Sequence, residues 1–401
     1  MKNITQHYNR TSYYAKSGDS EMYVTALGGF IMPYFTVRGE KMTPYRVAPW
    51  YDEAPFDDAM LSTLRGNFIC LPMGGDPDGV NTGGREVPCH GFCACETWAL
   101  EEAKSGSEIT EMDKDAESET SDCEKAVSAG DRCARLVLRY EEKEGTGQIR
   151  KELTLDGASK VVYERDTISG YTGKYPVSYH PCINLNPEPG SCHIAISKPE
   201  YGSTPREWLE STADGGYELL QHQEIADYTD VMSVYGDHVD LSHQPLQKGI
   251  EQAVEFISDT AKPFCFTAVT NPNEGYVYFQ LKNPRKLAGT MFWISNGGRH
   301  YAPWSGRTHN LIGIEEVTSF FYYGVTASTE PNFMQEHGGK TYLELEADKA
   351  FSLEIITGVA ELPEDFREVQ DIVSADGGIE IIGNDGLRIP VKVDLSFLRE
   401  P

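Results

Sequence analysis

Four polar residues of this 401-residue chain stand in stretches that are otherwise apolar or glycine-rich. Arg65 lies in Leu64-Arg65-Gly66-Asn67-Phe68-Ile69, and His90 in Pro88-Cys89-His90-Gly91-Phe92. His180 lies in Tyr179-His180-Pro181-Cys182-Ile183-Asn184-Leu185, and Glu315 in Leu311-Ile312-Gly313-Ile314-Glu315-Glu316-Val317. A charged side chain among apolar neighbours on a strand either faces solvent or is paired and desolvated for a purpose. Imidazole and carboxylate exchange protons, and histidine does so near neutral pH. Strand alternation sends Glu315 and Glu316 to opposite faces, so one of the two is expected to be solvated. Competing chemistries lack their motifs. There is no Gly-x-x-x-x-Gly-Lys and no His-Glu-x-x-His, and Pro303 stands where a Gly-x-Ser-x-Gly elbow around Ser305 would need its first glycine.

The elements that must position these residues read as strands. Short runs rich in Val, Ile, Tyr, Phe and Thr recur along the chain, among them 22–37, 134–140, 160–164, 192–197, 253–257, 264–269, 276–281, 291–294, 316–323 and 351–359. Turn residues separate most of them, which accounts for 38 Gly and 22 Pro. Helical periodicity is confined to short candidates around 206–211 and 363–372. The expected fold is all-β: one large antiparallel β-sandwich spanning residues 1–401. Residues 101–131 are rich in Glu, Asp, Ser and Lys and read as a solvated, flexible insertion between strands. From about 371 to 401 two alternating runs flank Gly383-Asn384-Asp385-Gly386, the pattern of a terminal β-hairpin.

Charge and cysteine usage narrow the setting. With 62 acidic against 35 basic residues the net charge is −27, which argues against nucleic-acid or anionic-membrane partners. No apolar run reaches the length of a membrane span, and residues 1–19 lack the apolar core of a secretory signal. Nine cysteines, an odd number without zinc-type spacing, fit reduced thiols in a cytoplasmic protein.

The order and wording of the four polar stretches resemble the aldose 1-epimerase (galactose mutarotase-like) superfamily, nearest its hexose-6-phosphate mutarotase branch. Arg65-Gly66-Asn67-Phe68-Ile69-Cys70-Leu71-Pro72 is similar to the family's Arg-Gly-Gly-x-Pro-x-x-x-Pro. His90-Gly91-Phe92-Cys93-Ala94, with Trp98 behind it, is similar to His-Gly-Phe-Ala-Arg followed by Trp. His180-Pro181-Cys182-Ile183-Asn184-Leu185 resembles His-x-Tyr-Phe-Asn-Leu, and Gly313-Ile314-Glu315-Glu316 resembles Cys-Val-Glu-Pro. The departures are Cys182-Ile183 for the aromatic pair, Glu316 for the proline and Ala94 for the arginine. The sugar-contacting aspartate has only Asp237 as a counterpart.

The resemblance implies a galactose mutarotase-like supersandwich that interconverts sugar anomers through the open-chain aldehyde. By the family's roles Glu315 is the base and His180 the acid, across a gap that admits a pyranose ring. Arg65 and His90 hold substrate oxygens, and Trp98, Trp293 or Trp304 can floor the sugar. Arg299 and His300 fall in a loop near this region, where they can contact substrate, although a turn with solvated side chains is the stronger expectation. The partner is a small carbohydrate, and a reaction that moves only protons calls for no cofactor and no metal. Two other readings stay open: a non-catalytic carbohydrate-binding or regulatory protein on this fold, and another carbohydrate isomerase or lyase.

Overall fold

The computed structural model describes residues 3–53, 56, 58–106, 133–210, 213 and 217–398. The acidic stretch expected to form an insertion therefore lies, from residue 107 onward, outside the described residues. What is described is built from antiparallel strands, as the apolar alternation requires. A nine-stranded sheet runs in the spatial order His243–Gln244, Cys192–Ile196, Cys265–Asn271, Tyr276–Lys282, Phe351–Glu361, Val161–Ser169, Gln148–Asp156, Cys133–Glu141 and Ala99–Lys104. A seven-stranded sheet packs against it. Its main path runs Tyr201–Ser203, Ile250–Ile257, Gly289–Asn296, Leu311–Thr318, Val177–Tyr179 and Ile69–Cys70, with Cys182–Asn184 also paired to Leu311–Thr318. Residues 4–42 form a five-stranded antiparallel sheet.

The layers follow from which side chains each strand sends each way. Ile312 and Ile314 join Val254, Phe256, Phe292, Tyr278 and Ile355 in the core between the two large sheets. Leu311 and Val317, with Met291 and Trp293, belong instead to a cluster on the other face, covered by loops that carry Trp50, Trp304, Phe321 and Phe333. The outer face of the nine-stranded sheet is covered by a three-stranded meander, Val369–Ala375, Gly378–Gly383 and Arg388–Lys392. The helices of the described residues are short, at Ala59–Thr63, Gly324–Thr329 and Phe333–Glu336. The helical candidates at 206–211 and 363–372 do not form. Residues 206–210 are bends, and Val369–Ala375 is recruited as a strand because Val369 and Ile372 bury against the sheet.

Glu316 is not the solvated member of its pair. It is buried between the large sheets, where its carboxylate pairs with Lys282. It also accepts hydrogen bonds from Thr267 (2.8 Å), Gln280 (2.7 Å) and Thr290 (2.8 Å). A second interior ion cluster joins Lys151 to Glu164 and Asp166, and Tyr179 donates to Asp166 at 2.9 Å. Removing one member of such a pair leaves an uncompensated buried charge. Lys282→Met should therefore lower stability by about 3–5 kcal/mol, and Lys282→Met combined with Glu316→Leu should recover most of that loss. Chemical denaturation of the two variants checks this; a double variant as unstable as the single would contradict it.

Candidate active site

His180 reaches its position through an interruption in one line of pairing. Val177–Tyr179 and Cys182–Asn184 pair with the same strand in one continuous register, Tyr179 opposite Glu316 and Cys182 opposite Gly313. Carried across the interruption, that register sets His180 opposite Glu315. Pro181 lacks the N–H a ladder would use, and the backbone of His180 and Cys182 donates instead to Phe68 and Gly66 (2.8 Å each). Two residues on from Ser178, His180 shares its sheet face with Ser178 and Glu315.

The imidazole and the carboxylate are in direct contact. Nε2 of His180 is 3.4 Å from Oε1 of Glu315, and Ser178 Oγ donates to Oε2 at 3.0 Å. His180 is 5% exposed and Glu315 1%. Phe68 stacks on the His180 ring at 4.8 Å, and Trp293 meets it edge-on at 5.4 Å. Gly313, opposite Trp293, makes room for that indole, because a Cβ there would sit 3.0 Å from Cε3.

Burial sets the protonation of the pair. It raises the Glu315 carboxyl to about 8; Ser178 pulls the other way, and the Glu255 charge adds to the rise. It also drives His180 well below the usual imidazole range, and the nearby His90 and Arg299 push the same way. At neutral pH both groups are thus uncharged, a carboxylic acid beside a neutral imidazole, as desolvation favours.

His90 stands beside them, its ring 5.1 Å from that of His180. Its loop presses onto the neighbouring strand through Gly91, which has φ +76° and whose Cβ would strike the Leu71 carbonyl at 2.0 Å. Burial and the Arg299 charge push His90 down to about 4. Burial keeps the Cys70 thiol protonated, and its sulfur lies 3.4 Å from Nδ1 of His90.

Arg299 completes the group. Its guanidinium lies over Trp304 at 4.6 Å and Trp293 at 5.3 Å, pairs with Glu210 and stands 3.5 Å from Glu251. Trp293 Nε1 and Ser295 Oγ donate to Glu251 at 2.7 and 3.1 Å. His90 and Arg299 are partly exposed where His180 and Glu315 are buried. Among the described residues no three His, Cys, Asp or Glu side chains are grouped to hold a metal ion.

No protein-family model and no curated protein matches this sequence. Solved structures do. A galactose mutarotase-like protein from Clostridium acetobutylicum superposes with a TM-score of 0.54 at 12% identity, over 90% of this chain and 98% of the other. A candidate aldose 1-epimerase from Escherichia coli K12 gives 0.54 at 14% identity, over 88% of this chain and 99% of the other. One from Klebsiella pneumoniae gives 0.54 at 12% identity, over 89% and 80%. The fold is the galactose mutarotase-like sandwich.

On this mutarotase-like sandwich the structure brings together three of the four residues singled out by sequence: His90, His180 and Glu315. Arg65 is elsewhere. Its guanidinium is fully buried and spent on backbone carbonyls, donating to Thr63 (2.8 Å), His7 (3.0 Å) and Tyr8 (3.3 Å), so it braces the N-terminal sheet. The ring-sized gap between His180 and Glu315 is also absent, because residues directly opposed across two strands are neighbours. Trp98 is a core residue whose Nε1 donates to the Cys93 carbonyl, and Asp237 accepts from Ser233 in a small hairpin. Arg299, expected in solvent, is at the site, and Glu251 and Glu255 went unseen. Their signal was two carboxylates four apart in the otherwise strand-like Ile250-Glu251-Gln252-Ala253-Val254-Glu255-Phe256-Ile257.

Burial raises Glu255 to about 8, against a hydrogen bond from the Phe321 N–H. A folded-state value above the ordinary 4.5 means its contribution to stability is complete below about 4.5 and is lost as pH rises through about 8. Glu255→Gln keeps an oxygen for the Phe321 N–H and never ionises. It should melt with the wild type near pH 5 and about 2 °C or more above it near pH 9. A melting difference that does not change with pH would contradict the assignment.

Proposed function

We propose that this chain is an aldose 1-epimerase-type enzyme, interconverting sugar anomers by proton transfer through His180 and Glu315. The observation that carries the reading is the His180–Glu315 contact itself, an imidazole nitrogen 3.4 Å from a carboxyl oxygen on the loop-covered face of a galactose mutarotase-like sandwich. Ring opening takes a proton from the C1 hydroxyl and delivers one to the ring oxygen as the C1–O5 bond breaks. Closure on the other face of the aldehyde reverses both transfers. The two oxygens are borne by the same carbon, so an acid and a base side by side, under the sugar rather than across it, are suited to reach both. With Glu315 protonated and His180 uncharged, one member donates while the other accepts. The resemblance assigns Glu315 as base and His180 as acid; burial stores the resting proton on Glu315, and one transfer along the contact gives the acting tautomer. The His90 ring and Arg299 offer hydrogen-bonding groups to hydroxyls, and Trp293 offers a face for ring carbons.

The closed contact and deep burial of the pair also suit a second reading, a non-catalytic sugar-binding protein on this fold. Saturation-transfer NMR of anomer exchange, across a panel of aldoses and aldose 6-phosphates, separates the two. The enzyme reading expects exchange with at least one sugar and a loss of about 10²-fold or more in Glu315→Gln with the fold intact. It also expects kcat/KM to fall as pH rises through about 8, because ionisation of Glu315 removes the proton it holds. Absence of exchange throughout, or full exchange in Glu315→Gln, contradicts it.

A further inference from the structure

Arg65, which does not serve the His180–Glu315 face, lies beneath a feature of the N-terminal sheet. Tyr13, Met22, Val24 and Phe35 point into the core, so alternation turns Tyr14, Glu21, Tyr23 and Tyr34 outward. His7 lies flat on Tyr23, with ring centroids 4.1 Å apart and planes 10° apart, and its Nε2 is 3.0 Å from the Tyr34 hydroxyl. Its Nδ1 is buried without a hydrogen-bond partner. Lys41 and Glu21 are paired at 2.8 Å, and Tyr23 donates to the same carboxylate at 3.2 Å. Gln6, His7, Glu21, Tyr23, Tyr34 and Lys41, together with Tyr8, which is 40% exposed, line an open groove of about 350 Å³. Arg65 ties the His7 and Tyr8 carbonyls down under it.

We propose that this groove is a saccharide-binding site for a neutral sugar chain, separate from the His180–Glu315 face. Its volume lies within the range of small-ligand sites. Aromatic rings suit the apolar C–H faces of a pyranose, and tyrosine adds a polar tip at the ring edge. An ion pair presents acceptor and donor side by side, as adjacent hydroxyls require, while its charges cancel. That cancellation gives no advantage to phosphate or carboxylate ligands. The groove and the catalytic face share no residue, so the site stands whether or not the chain turns sugars over.

Calorimetric titration of the full chain with cellopentaose, maltopentaose and galactopentaose tests the proposal. At least one should bind, Tyr8→Ala and Lys41→Ala should each weaken it about tenfold or more, and Glu315→Gln should bind as the wild type does. Both groove positions are exposed, and unchanged melting temperatures show that the fold is retained. Binding of none of the three, binding that survives both groove variants, or binding lost in Glu315→Gln overturns it.

Discussion

Taking a carboxylate out of water beside a buried imidazole deprives the carboxylate of its ordinary charge at neutral pH. Glu315 is pushed up to about 8 and His180 far down, so the carboxyl keeps its proton and the imidazole stays uncharged. Most of what surrounds the pair serves that condition. Ser178 holds one carboxylate oxygen, Phe68 and Trp293 exclude water from the ring, and Gly313 makes the space that Trp293 occupies. Glu255, itself raised by burial to about 8, adds to the rise of Glu315, and Glu251 nearby is raised by burial to about 7. Arg299 supplies a positive charge against Glu251 and Lys282 one against Glu255, and Arg299 is already engaged by Glu210 and Glu251.

The same strand that carries Glu315 to the site carries Glu316 into the core. One face of Leu311–Thr318 meets the loops and the other meets the nine-stranded sheet, so a period of two places the adjacent carboxylates in different interiors. Each interior solves the charge in its own way. Glu316 has Lys282 and a ring of hydroxyl and amide donors, a fully paired ion. Glu315 has no such cation, which leaves proton retention as the alternative to an unpaired charge. A paired carboxylate is a structural anchor; an unpaired one is a proton store. The distinction separates scaffold from chemistry along two consecutive residues.

Sequence patterning made the strand class legible, because alternating Val, Ile, Tyr and Phe runs between turns admit few other folds. It also made His180 and Glu315 legible as polar residues out of place, although their register was hidden, since cross-strand pairing between residues so far apart has no local signature. Arg65 misled for a related reason. A buried arginine in an apolar run reads alike whether it faces a ligand or backbone carbonyls, and here the carbonyls of Thr63, His7 and Tyr8 satisfy it. Glu316 misled because a second face as dry as the first could not be inferred from one strand. Arg299 was hidden by its Gly297-Gly298 loop, whose composition suggests a solvated turn while its side chain folds back over Trp293 and Trp304.

The central claim is that at neutral pH Glu315 keeps its proton while the His180 ring beside it is uncharged. A site-resolved NMR titration of the Glu315 side-chain carboxyl and the His180 ring nitrogens reads it directly. The predicted result is a Glu315 carboxyl that ionises near pH 8 while the His180 ring remains neutral below about pH 6.5, where an ordinary imidazole charges. An ionised Glu315 facing a protonated His180 throughout that range would contradict it.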